Sequence, residues 1–124
     1  MCRVSAVRNF RELVVWQRAI DLAVEVFRLT EDFPKEQRYA LTDNIRRCAT
    51  SVSANIAEGF GRGKDPEFGY FLRVALGSLC ELESQLEVAV RVGYLPPEKV
   101  PVQSLSEIGK MINGLKSKLN TKER

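Results

Sequence analysis

From Val14 to Thr30 the apolar residues recur as Trp16, Ala19/Ile20, Ala23 and Val26/Phe27, the alternating three- and four-residue steps that place side chains on one face of an α-helix. This first helix spans roughly 14–30 and closes at Glu31-Asp32-Phe33-Pro34, because proline restricts the residue before it and has no N–H to continue the ladder. Pro34 suits the first turn of the next helix instead. There the stripe Leu41, Ile45, Cys48, Val52 and Ile56 predicts a helix over 35–59 that stops in Gly59-Phe60-Gly61-Arg62-Gly63, since glycine commonly follows a last turn. Asp65-Pro66-Glu67 reads as N-cap, first-turn proline and first-turn acid. It opens a third helix over 66–92, with Phe68, Phe71/Leu72, Ala75/Leu76, Leu79, Leu82, Leu86 and Val90 on its apolar face, ended by Gly93 and Pro96-Pro97. Leu105, Ile108, Ile112, Leu115 and Leu119 form a heptad-like seam for a fourth helix over 102–119, whose start Pro101 interrupts. No segment shows the two-residue period of a strand, and the connections are short. The pattern therefore predicts an all-α chain, an antiparallel up-down-up-down four-helix bundle forming one domain over residues 1–124.

With 124 residues, 44% of them hydrophobic, the chain can bury one core but not two. It has no run of about 18 apolar residues, and no apolar segment follows the basic residues of Met1 to Phe10, so neither a membrane span nor a signal peptide is expected. A cytoplasmic location follows. Cys2, Cys48 and Cys80 are odd in number and widely spaced, which suits reduced thiols rather than a disulfide framework or a metal site. Histidine is absent, which removes the commonest metal ligand and the commonest proton shuttle near neutral pH. The carboxylates read as exposed helix charges without a converging acid–base pair, so no enzyme activity, metal or cofactor is expected.

The net charge of +3 is unevenly divided: residues 1–12 carry +2 and residues 110–124 carry +4, leaving −3 on the body between them. Bulk charge thus gives the body no affinity for polyanions, and any basic surface must arise from clustering or assembly. Arg46, Arg47, Arg62, Lys64 and Arg73 make the densest basic grouping of the body, and the guanidinium forks suit phosphate oxygens; these are the candidate nucleic-acid contacts. The competing reading pairs them with Glu58, Glu81, Glu83 or Glu87 along the helices. The lysines at 110, 116, 118 and 122 read as a solvated face and frayed end, or as a basic tail touching RNA. Gly59 to Lys64 lacks both the preceding strand and the glycine spacing of a phosphate loop, and reads as a helix stop. Trp16 begins the apolar stripe and so reads as a core or interface aromatic. Asn55 falls toward the core, where its amide needs partners, Glu58 among them.

The stretch Asn44-Ile45-Arg46-Arg47-Cys48-Ala49-Thr50-Ser51-Val52-Ser53-Ala54-Asn55-Ile56-Ala57-Glu58-Gly59-Phe60-Gly61-Arg62, preceded by Phe33-Pro34, resembles the proteins encoded by intervening sequences of bacterial 23S ribosomal RNA genes. Val15-Trp16-Gln17-Arg18-Ala19, the run from Phe71 to Glu83 and Gly93-Tyr94-Leu95 are similar to that family's first and third helices, so the likeness covers roughly residues 10–95. The resemblance implies a four-helix bundle assembled as a ring-like homopentamer with no established enzymatic activity. A related branch serves as accessory protein of diversity-generating retroelements, partnering a reverse transcriptase and binding nucleic acid. The resemblance therefore implies RNA or DNA and a reverse transcriptase as partners besides the chain itself. In that light the small-residue faces of helices two and three, with Thr50, Ser53, Ala57, Gly69 and Gly77, read either as close helix pairing within a subunit or as the oligomer interface of a ring. A non-enzymatic oligomer bound to nucleic acid and a scaffold docking a reverse transcriptase are the two functions the sequence supports.

Overall fold

The structure, a computed structural model, describes residues 7–123, with side chains described through Leu119. Cys2, Arg3 and Arg124, and the side chain of Lys122, lie outside the described residues. Among the described residues there are four α-helices and no strand: α1 (Val14–Leu29), α2 (Asp43–Gly61), α3 (Asp65–Arg91) and α4 (Val102–Glu123). A short 3-10 turn, Phe10–Glu12, leads into α1; its N-cap Asn9 accepts a hydrogen bond from the Arg11 N–H at 2.8 Å. The Phe10 ring packs edge-on against Trp16, with centroids 5.0 Å apart.

α1 buries Val15, Ala19, Leu22, Ala23 and Val26. The predicted stripe is therefore rotated: Trp16 and Ile20 are half-buried, and Phe27 is 41% exposed. Apolar residues lie on more than one side of this helix, so two phases fit its spacing equally well, and packing on α2 and α4 selects one.

The helix expected over 35–59 is composite. Pro34 caps a 3-10 turn, Lys35–Gln37, which passes into a π-helical turn, Arg38–Thr42, before α2 begins. Ile45, Cys48, Val52 and Ile56 face the core as their spacing requires, and Leu41, on the π turn, is half-buried. The chain leaves α2 through Gly63, whose φ of 82° is costly for any residue with a side chain. Gly59, four residues earlier, has a different role: a Cβ there would lie 2.6 Å from Phe71 Cβ, so it lets α2 and α3 approach closely.

Asp65 is the first residue of α3 rather than its cap; extended Lys64 precedes it and makes no side-chain capping bond. The far end of α3 closes by two reversed bonds, Tyr94 N–H to Ala89 O at 2.9 Å and Gly93 N–H to Val90 O at 3.0 Å, the Schellman arrangement. Pro101 does not interrupt α4 but precedes it, its carbonyl accepting from the Leu105 N–H at 3.0 Å. Leu105, Ile108, Ile112, Leu115 and Leu119 are all buried. α2 packs most extensively on α3, and α1 on α2, α3 on α4 and α1 on α4 complete the main contacts. Each large aliphatic chain buried there contributes about 1.5–3 kcal/mol.

Candidate functional site

The five basic residues do not form one patch. Arg46 and Arg62 stand about 24 Å apart along α2, at roughly 1.5 Å per residue. Arg46 is turned back onto α1: its Nε donates to Thr30 Oγ1 at 2.8 Å, its Nη2 donates to Phe27 O at 3.2 Å, and its guanidinium lies 4.7 Å from the Phe27 ring centroid. Thr30 is 2% exposed and donates in turn to Val26 O at 2.9 Å. Arg46 thus supplies a cation at the carbonyl end of α1, where the helix dipole favours positive charge.

Arg62 and Arg73 are joined through aromatic rings. The Arg62 guanidinium lies 5.0 Å from the Phe71 centroid, Phe71 meets Tyr70 edge-on at 5.0 Å, and the Arg73 guanidinium lies 5.8 Å from the Tyr70 centroid. Tyr70 is 52% exposed. The first turns of α3 place these rings beside the end of α2, and exposed Lys64 sits in the loop between. Arg62 also bonds Glu58 at 2.7 Å, the pairing along one helix that the sequence offered as the alternative. That hydrogen bond raises the Arg62 pKa, keeping the guanidinium charged. Both partners are about half exposed, so the pair is weak and open to exchange for another anion. Tyr70 escapes the sequence reading because it sits one residue off the apolar stripe; its position beside Phe71 and three residues before an arginine is the available signal.

Arg47 points to a polar cleft of about 260 Å³ between α2 and α3, where its Nη1 donates to Asn44 Oδ1 at 2.7 Å. Ser51 and Ser78 share a hydrogen bond of 2.8 Å across the two helices. Asn55 is half-buried and donates to Ser51 O and Oγ at 2.8 and 2.9 Å, not to Glu58. The Cys48 thiol lines the same cleft; burial chiefly, and then the neighbouring Glu81 carboxylate, push its pKa up.

The small residues divide between interior and surface. Ser53 and Gly69 are buried, Ala57 is half-buried, and Thr50 and Gly77 are exposed. A Cβ added at Gly69 or Gly77 would meet nothing within 4 Å. Thr50 borders an apolar groove of about 300 Å³ lined also by Ile20, Ala23, Val24 and Phe27.

These features define an all-helical protein of four α-helices, and among its described residues no group of histidine, cysteine, aspartate or glutamate side chains could hold a metal ion. The chain belongs to the 23S rRNA-intervening sequence protein family, whose family model matches residues 11–114. The fold is similar to that of a protein of unknown function in the S23 ribosomal protein family from Bacteroides thetaiotaomicron. That crystal structure shares 24% sequence identity and a TM-score of 0.72, over 82% of this chain and 97% of the other. No curated protein matches the sequence. Neither match indicates an enzymatic family. Among the described residues, no helix is long and apolar enough to cross a membrane.

Proposed function

We propose that this protein is a non-enzymatic, cytoplasmic, homo-oligomeric four-helix bundle, assembled as a pentamer, that associates with nucleic acid through a basic surface. The observation that carries the nucleic-acid reading is the run Arg62, Phe71, Tyr70, Arg73 at the junction of α2 and α3. Guanidinium groups interleaved with an exposed aromatic ring offer phosphate contacts and a stacking face together, as single-stranded nucleic acid requires. Lys64 adds a cation nearby, and a ring would repeat the small patch around its axis, giving a larger field than one subunit supplies. The short link between α2 and α3 and the contacts of α1 with α2 and α4, and of α3 with α2 and α4, support the up-down-up-down bundle. Half-exposed Val24 and Phe27, in the groove beside Thr50, support self-association, since a second copy would remove this apolar surface from water.

Fluorescence anisotropy with single-stranded RNA and DNA oligonucleotides tests the reading. Affinity is expected to fall steeply with salt, and Tyr70→Ala to weaken binding by about tenfold, the loss of one stacked base. Undetectable binding at low salt refutes it.

The second reading is an accessory scaffold that docks a reverse transcriptase or another protein. The same apolar groove favours it, with a partner in place of a second copy. Oligonucleotide binding by the purified chain separates the two: the first reading binds nucleic acid alone, whereas an oligomeric scaffold touches it only through its docked partner.

A further inference from the structure

We infer that Glu58 is a built-in competitor at the nucleic-acid site: its carboxylate occupies Arg62 in the free protein, and a phosphate displaces it before the whole patch engages a strand. The inference rests on the nucleic-acid reading and adds how that site is restrained. The two arginines of the patch are held differently. Arg73 takes part in no ion pair among the described residues, whereas Arg62 Nη2 lies 2.7 Å from Glu58 Oε2. One cation is open to a polyanion at once, and the other is masked by an anion of the chain itself.

The mask can be removed without dismantling the site. Arg62 and Glu58 are 47% and 52% exposed, so water and salt reach both partners. The bond to Glu58 engages Nη2, which leaves further N–H donors of the guanidinium fork for an incoming phosphate. The Phe71 ring holds the guanidinium independently of Glu58, 5.0 Å from its centroid, so Arg62 keeps its place on the aromatic run when the carboxylate leaves. The pair also does little for the fold. Unlike Arg18–Glu107, which ties α1 to α4, it joins residues four apart at the end of one helix. Glu58 stands in the last turn of α2, where the helix dipole disfavours an anion. Helix stability therefore does not account for a carboxylate at this position, whereas its hold on Arg62 does. Glu67, in the first turn of α3, adds its negative field at Arg62 and further lowers the positive potential that a phosphate meets there.

Anisotropy titrations of the full chain with a single-stranded oligothymidylate test this role. Glu58→Gln removes the charge but keeps an acceptor for Arg62. It should tighten binding by about two- to fivefold, the worth of a half-exposed ion pair, with the melting temperature unchanged or raised. Glu87→Gln is the charge-matched control: it frees Arg91 from a similar pair near the other end of α3, where solvent screening separates it from the patch, and should leave affinity unchanged. Arg62→Gln should reduce the salt slope by about 0.7, one phosphate contact on a single strand. In that background Glu58→Gln should have no effect, since the two residues act through one contact. If the parent binds and Glu58→Gln binds no tighter, gains as much without Arg62, or is matched by Glu87→Gln, the competitor role is overturned while the nucleic-acid reading stands. Absence of binding by both the parent and Glu58→Gln overturns the two together.

Discussion

Arg46 shows how far a residue type alone falls short of a role. Its sequence neighbourhood places it with the other arginines, but its side chain closes the end of α1 through Thr30 and Phe27 O. Arg46→Ala is therefore expected to lower stability by about 1–2 kcal/mol in urea denaturation, with nucleic-acid affinity unchanged. Arg73→Ala should do the reverse, because Arg73 is exposed and its described contact is with the Tyr70 ring. The cysteines differ in the same way. Cys48 is buried and its pKa is raised, so native-state alkylation followed by mass spectrometry should label exposed Cys80 before Cys48, which reacts only on unfolding. The raised pKa also fixes a sign: the unfolded thiol ionises at lower pH than the folded one. Stability contributed by Cys48 is then full below the ordinary thiol pKa and is lost as pH rises from there toward the folded value. Cys48→Ala should flatten that alkaline decline in a series of melting curves.

At the scale of the helices, the glycines of α2 and α3 carry opposite expectations. Glycine to alanine in a helix interior ordinarily stabilises by about 0.5–1 kcal/mol. Gly77 is exposed with no atom within 4 Å of an added Cβ, so Gly77→Ala should raise the melting temperature. At Gly59 the added methyl meets Phe71 Cβ at 2.6 Å, and the helices must separate; a loss of about 1–3 kcal/mol is expected. The stripes of α2, α3 and α4 were legible because each has a single apolar phase. The phase of α1 and the 3-10 and π turns before α2 were not, because they depend on which neighbours the segment meets. Asn44 shows the second case: its side chain satisfies Ala40 O within the π turn, a pairing no spacing rule requires.

For the whole molecule, the apolar groove of α1 is the surface on which self-association is tested. Phe27→Glu puts a charge at its edge and is expected to reduce the particle mass measured by light scattering if copies meet there, while stability of the single chain changes little because Phe27 is already 41% exposed. An unchanged mass in an assembled particle would move the interface elsewhere, toward the surface that includes Gly77. The candidate nucleic-acid site was legible in part. The sequence named Arg62, Lys64 and Arg73, but only packing shows that Arg62 and Arg73 are linked through Phe71 and Tyr70, while Arg46 faces α1 and Arg47 the polar cleft.

The amino-acid sequence by itself determined that this chain is helical, where its helices run apart from the 3-10 and π turns over residues 35–42 that stand where the second was expected to start, and which family it resembles. Those follow from periodicity, proline and glycine placement and local motifs, all properties of neighbouring residues. Tertiary structure alone decided which face of α1 is buried, that Arg62 and Arg73 are joined through Phe71 and Tyr70, and that Gln85 Oε1 is buried without a hydrogen-bond partner. Each of these depends on side chains from different helices reaching the same place, and that meeting is set by packing between segments far apart in the chain.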